Sequence, residues 1–361
     1  MNPRVTWDEV LRWRMRRHLL GRDKAKDPVA VARRVVGVHA QLAASAVRAI
    51  ALRAAKAADL DDLLYTQRRL VRTWAARGTL HLIATEDYPA WVAAMSTRTR
   101  ETRNSWLKYH GVTEAQMADI LAAMPDVLGG TPLSREELAD AIIRRTGHDD
   151  LRGPLTQGFG AVLKPAAFRG LLCSGPPRGR NVTFVAPREW LGPWDDVDTD
   201  AAVDKLALDY LGVFGPATPD EFARWFDLAP ARAKKSFERL RPETTAVDLD
   251  GETKSFPTAH LDSLRQKTPT AVALLPAFDP YTAGSTRQLE QIGADGHRQE
   301  VSRPQGWISA TIVVDGWIRG TWTEGDDGRP LIQPFTPLPA KIRETLELQR
   351  RADYSPSQSH D

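Results

Sequence analysis

One cysteine, Cys173, stands in 361 residues. A lone thiol excludes an internal disulfide and any zinc site built on cysteines, and its neighbours Leu171 and Leu172 suit a buried, inert sulfur. No apolar run approaches the roughly 18 residues of a membrane span. The early arginines, Arg4, Arg12, Arg14, Arg16 and Arg17, are interleaved with Asp8, Glu9 and Trp13, and no small-residue cleavage site follows an apolar stretch, so no signal peptide is read. A cytoplasmic protein without a membrane partner is expected. The histidines do not fall at metal-ligand spacings, no Gly-rich nucleotide loop joins a strand to a helix, and no G-x-S-x-G elbow is present. Neither a metal nor a cofactor is expected.

A composition of 42% hydrophobic and 26% charged residues is that of a soluble globular chain, and the length suggests two to four compact units. The net charge of +3 conceals an asymmetry. Residues 1–110 hold 21 Lys and Arg against 10 Asp and Glu, a balance of +11, and the remainder carries −8. Most of the excess is arginine, whose planar fork grips phosphate and stacks on bases. A polyanion is the implied partner, nucleic acid ahead of an anionic membrane. A chain that uses arginine wherever lysine would serve would show the same excess.

Periodicity divides the chain into similar blocks. Asp27-Pro28 is a cap and first-turn pair for a face of Val29, Ala32, Val35, Val36 and His39. Further helices are predicted over 45–54 and 60–67, then strands over 70–74 and 79–83 joined at Ala76-Arg77-Gly78. Three helices and a hairpin make a winged helix. The plan recurs after the capping box Ser134-Arg135-Glu136-Glu137, with a helix over 155–168 and strands over 170–173 and 181–186 flanking a basic turn. It recurs again after Thr218-Pro219-Asp220-Glu221, through Phe222, Trp225 and Phe226, a basic helix with Arg232, Lys234 and Lys235, and a hairpin at Asp250-Gly251. From about residue 270 strands dominate, over 270–275, 308–314 and 317–322, the last two joined by Asp315-Gly316. A final helix is predicted over 338–351 and a disordered tail over 354–361. The expected fold class is α+β, with tandem winged-helix (helix-turn-helix) domains and a small C-terminal β-domain. Its borders are 1–110, 111–195, 196–265, 266–340 and 341–361.

Two motifs carry chemistry. In Gly37-Val38-His39-Ala40-Gln41, polar residues alternate with small apolar ones, so an extended or turn backbone would point both polar side chains one way. Alternatively His39 ends the preceding helical face and Gln41 satisfies a backbone group. In Arg72-Thr73-Trp74-Ala75-Ala76-Arg77-Gly78-Thr79-Leu80-His81-Leu82, the residues Arg72, Arg77, Thr79 and His81 suit phosphate contacts at a wing, although an ordinary half-buried hairpin would tolerate them too. Arg178 and Arg180 are presented on a tight loop by Gly175, Pro176 and Gly179. Trp74 and Trp91 read as core.

Together the two motifs resemble the signature of the AlkZ/YcaQ-like winged-helix DNA glycosylases, in which Gln-Φ-Gln or His-Φ-Gln (Φ nonpolar) precedes an RGTLHL segment. The resemblance covers 35–54 and 70–88, and Leu274-Leu275-Pro276-Ala277-Phe278-Asp279 looks like the family's LLP-FD segment. His39, where many relatives carry Gln, marks the His-Φ-Gln branch, similar to glycosylases that protect antibiotic producers from their own alkylating products.

The resemblance implies a monofunctional glycosylase that removes N7-alkylguanine from double-stranded DNA. It would act as a monomer at the nucleoid, with His39 and Gln41 catalytic. Arg72, Arg77, Thr79, His81, Arg178 and Arg180 would bind DNA, and Asp279 would either cap a turn or order a loop near the site. The competing reading is a non-catalytic winged-helix regulator, since that fold binds DNA far more often than it cleaves glycosidic bonds.

Overall fold

The computed structural model describes residues 2–56 and 59–352; the tail expected over 354–361 lies outside them. The fold is mixed α and β, with small sheets rather than one large one. Two compact units form it, each gathered from separated stretches: Met1–Ala57, Leu211–Ala217 and Glu243–Asp361 in the first, Ala58–Tyr210 and Thr218–Pro242 in the second.

The first unit is organised by the helix Trp7–Arg17. Thr6 and Glu9 cap it reciprocally in a capping box, which satisfies donors that the first turn leaves open. One side of the helix buries Val10 and Trp13 against Val247, Leu249 and Phe256. The other buries Leu11 and Met15 against Leu275, Tyr281, Leu289 and Ile318. Each such burial is worth about 1.5–3 kcal/mol, so the helix ties two sheets together. In one, Arg4–Val5 pairs in parallel with Thr244–Leu249, which turns through Asp250-Gly251 into Glu252–Pro257. In the other, Val272–Leu275, Thr311–Val314, Trp317–Glu324 and Pro330–Pro334 lie antiparallel in that order. The expected Asp315-Gly316 turn has both residues at positive φ, 50° and 90°, as a type I′ hairpin needs. A Cβ on Gly316 would lie 2.5 Å from the Leu11 carbonyl oxygen, so only glycine fits. The helix Ala340–Ala352 packs Ile342 and Leu346 on Leu274, Ile312 and Trp322.

The second unit carries two hairpins. Leu70–Trp74 pairs with Leu80–Ala84, and Cys173–Arg178 pairs with Asn181–Val185, which also pairs with Leu133–Ser134. Ser134 and Glu137 cap the helix Arg135–Thr146 in both directions, as do Thr218 and Glu221 for Pro219–Phe226. Trp91, Tyr210, Phe222, Trp225 and Phe226 form one aromatic cluster. Trp74 and Trp91 are core. Cys173 is buried, and loss of water pushes its thiol up to about 12.

The predicted helix over 155–168 is instead three short pieces, Arg152–Thr156, Gly158–Leu163 and Lys164–Phe168. Gly158 and Gly160 sit at φ of +63° and +71°, which no continuous helix accommodates. A Cβ on Gly160 would meet the Trp74 ring at 2.9 Å, so close packing rather than helical pattern sets the backbone there.

Candidate active site

The helix Pro28–Arg34, capped by Asp27 through the Ala30 N–H at 2.8 Å, stops abruptly. Val36 and Gly37 follow at φ of +56° and +85°, and this left-handed pair turns the chain into the two-residue strand Val38–His39. His39 therefore leaves the helical face. A second helix, Ala43–Ala51, begins two residues beyond Gln41. The motif thus occupies a short connection between two helices. Within it, His39 is buried, at 4% exposure, while Gln41 is exposed. Its two polar side chains accordingly meet different surroundings. The Gln41 backbone N–H approaches His39 Nδ1 at 3.5 Å, at the outer limit of a hydrogen bond.

What seats the imidazole is Phe278. The two rings stack at 4.8 Å between centroids with only 8° between planes. Phe278 adopts φ of +58°, a left-handed conformation costly for a bulky residue, so its surroundings must impose it. On one side, its N–H donates to the Ile308 carbonyl at 3.2 Å. On the other stands Asp279, fully buried and joined to the equally buried Arg53. Asp279 Oδ1 accepts from Arg53 Nη2 at 2.7 Å and Oδ2 from Nη1 at 2.9 Å. Arg53 also donates to the carbonyls of His18 and Ala49, and Asp279 Oδ1 accepts from the Tyr281 N–H at 3.0 Å. Asp279 is thus a turn cap and an anchor for the loop that carries Phe278. Its oxygens are committed inward.

The expected phosphate-binding residues belong to the second unit. Arg72 and Arg77 are half-buried, Arg77 at the turn with φ of +55°. The Thr79 hydroxyl donates to the Ala76 carbonyl at 3.1 Å and closes that turn. His81 is 5% exposed, with Nδ1 2.9 Å from the Thr79 carbonyl oxygen. Burial drops its pKa to about 4, so it is neutral near pH 7 and offers no charge to a phosphate. On the other hairpin, Arg178 and Arg180 are both exposed beside Gly179, and Arg178 pairs with Glu137. Among the described residues no group of three His, Cys, Asp or Glu is arranged to hold a metal ion.

Phe278 and Arg53 are the site residues that sequence reasoning misses. Phe278 lies inside the LLP-FD-like segment, but nothing in its spacing announces a partner 239 residues earlier in the chain. Arg53 gives no local signal at all. Its partner, Asp279, is 226 residues away.

Comparison with known proteins identifies the family. An interstrand DNA cross-link repair glycosylase of Streptomyces sahachiroi is 33% identical over 365 residues, covering 98% of both chains. The structure of the Streptomyces sahachiroi DNA glycosylase AlkZ matches with a TM-score of 0.88, again at 33% identity and over 97% of each chain. The profile of the family described as DNA glycosylase AlkZ-like matches residues 32–352, a span that contains His39, Gln41, Arg53, Phe278 and Asp279. The chain belongs to the AlkZ-like family of DNA glycosylases, hydrolases of N-glycosyl bonds.

Proposed function

We propose that this glycosylase excises N7-alkylguanine, bulky adducts included, from double-stranded DNA by water attack on the glycosidic bond. It acts as a monomer in the cytoplasm, in repair or in self-resistance to an alkylating product. The observation that carries the reading is the pairing of a buried, ring-stacked His39 with an exposed Gln41 two residues on. One group is held rigid and the other reaches solvent. In the reaction the C1′–N9 bond breaks and its electron pair goes to the base, neutralising the positive charge that alkylation placed there. A water oxygen bonds C1′ of the oxocarbenium-like sugar and gives up a proton. Gln41 orients that water through its amide, and His39 hydrogen-bonds it or accepts the proton. An amide and an imidazole make a weak acid–base pair, which suits a leaving group already activated by charge.

The same reading takes the helix and hairpin groups as tandem winged helices, over 1–110, 111–195 and 196–265, followed by the β-rich part over 266–340 and the segment 341–361. Arg72, Arg77, Arg178 and Arg180 meet phosphates, while Thr79 and His81 shape the first hairpin. Asp279 supports the site through Phe278. The cross-link activity in the relative's name fits a site that accepts bulky N7 adducts.

The test is base release from duplexes carrying a single N7-alkylguanine, read as free base and as alkali-labile abasic sites. Gln41→Ala should abolish most release while leaving affinity for adducted DNA within a few fold, because its role is in the transition state. His39→Gln should retain part of the activity that His39→Ala loses. Two folded alanine variants with full activity would remove the motif from catalysis, and efficient uracil excision would defeat the leaving-group argument.

A further inference from the structure

Phe278 meets His39 with one ring face and a second aromatic residue, Trp307, edge-on. The Phe278 and Trp307 centroids are 5.1 Å apart with planes at 75°. Trp307 is 42% exposed, unusual for a residue whose burial is worth so much apolar area. Nor does it ride on a loose loop. Arg303 N–H donates to the Trp307 carbonyl at 2.8 Å, Ser302 bridges to Ile308, and Ser309 N–H donates to the Val301 carbonyl at 2.9 Å. The Pro304-Gln305-Gly306 turn that presents it runs through two positive φ angles, 62° and 78°. Ile308, next along, accepts the Phe278 N–H. The indole is therefore a partly exposed aromatic side chain, fixed to the same backbone that seats His39. The two centroid steps, 4.8 and 5.1 Å through Phe278, put the indole no more than about 10 Å from the imidazole.

We propose that Trp307 is the lesion-reading residue of this site, stacking on the cationic purine while His39 and Gln41 act at the sugar. The proposal rests on the reading of His39 and Gln41 as the reaction centre. An N7-alkylguanine carries a delocalised positive charge, and an indole face attracts cations by its quadrupole as well as stacking on flat rings. The indole thereby distinguishes the alkylated base from its neutral neighbours, a task that Gln41 and His39, engaged at the sugar, do not perform. Its fixed loop keeps the cost of ordering low.

Binding to duplexes that cannot be cleaved separates this role from catalysis. One duplex carries 2′-fluoro-N7-methylguanine, a second its neutral isostere 7-methyl-7-deazaguanine, and a third is unmodified. The parent protein should prefer the cationic duplex. Trp307→Ala should lose about five-fold or more of that preference, from the roughly 1–3 kcal/mol of one base stacked on an aromatic ring. Affinity for the unmodified duplex should stay within two-fold, and Trp307→Phe should recover part of the loss. An alanine variant that keeps the preference, or one that weakens all three duplexes equally, overturns the assignment, as does a parent with no preference. Base release from the cleavable lesion is scored separately. A parent that prefers the cationic duplex yet releases no base sinks the catalytic reading and leaves the Trp307 assignment standing.

Discussion

Removing the Asp279 carboxylate isolates the contribution of the pair beneath the site. Arg53 and Asp279 are both fully buried and joined by two charge-assisted hydrogen bonds. Deleting one partner of such a pair costs about 3–5 kcal/mol, because the surviving charge stays out of water. Asp279→Ala leaves the Arg53 guanidinium with only the His18 and Ala49 carbonyls and strips the cap from the Tyr281 N–H. At about 2–4 °C per kcal/mol for a unit of this size, calorimetry should show one unfolding transition lowered by about 6–20 °C. The double variant Arg53→Met with Asp279→Leu should recover much of that loss, since an apolar pair of similar volume carries no desolvation penalty. The coupling from the full cycle should therefore be large. Base release in the folded Asp279→Ala protein should also fall, because the left-handed Phe278 that stacks on His39 loses its neighbour's anchor. A transition within about 1 kcal/mol of the parent's, with unchanged release, would refute the claim that this pair holds the site in place.

Two further outcomes follow from charge. His81 is buried, with a pKa lowered from 6.5 to about 4, so the unfolded chain takes up a proton before the folded one does. Its stability contribution is intact above about pH 6.5 and falls by roughly 3 kcal/mol as pH drops to about 4. His81→Gln, whose amide still donates to the Thr79 carbonyl, should flatten that part of the acid limb in urea titrations at several pH values; His18, also buried with a lowered pKa, will keep the rest. An unchanged limb would mean that His81 protonates without cost. For the second hairpin, Arg178→Ala with Arg180→Ala should reduce the slope of log affinity against log salt by about 0.9 for each phosphate no longer neutralised. Because Glu137 already pairs with Arg178, a reduction nearer that of one phosphate than of two is expected, and no reduction removes this hairpin from the DNA.

Features set by a few adjacent residues were readable from sequence. Asp250-Gly251 and Asp315-Gly316 make hairpins because those residue types tolerate positive φ, and the boxes at Ser134 and Thr218 cap because donor and acceptor lie three residues apart. Features set by distant partners were not. The strand Arg4–Val5 exists through its pairing with Asp248 and Leu249, and two residues carry no periodicity. The strand Pro330–Pro334 escapes a sequence reading because its prolines cannot donate to a ladder; it stands at the sheet edge, where that deficiency is tolerated. The same rule explains why Cys173–Arg178 runs further than expected. Pro176 and Pro177 continue an edge strand, leaving only Gly179-Arg180 as the turn.

The site was half legible for a related reason. The tripeptide His39-Ala40-Gln41 is contiguous, whereas the ring that orients it comes from a loop assembled by a buried ion pair across the sequence. That pair also revises the meaning of the arginine excess. Arg53 is neutralised by Asp279, a residue outside 1–110, and Arg98 by Glu101 and by Asp227, also outside it. Buried Arg14 gives its donors to the Gly215 carbonyl and Gln288. A segmental charge count takes these as surface charge available to a polyanion, but they are buried structural cations already engaged inside the protein. Attraction to DNA must come from the arginines that remain in contact with water. Salt dependence should therefore track substitutions at exposed positions such as Arg180, while substitutions of Arg53 or Arg98 should register as unfolding.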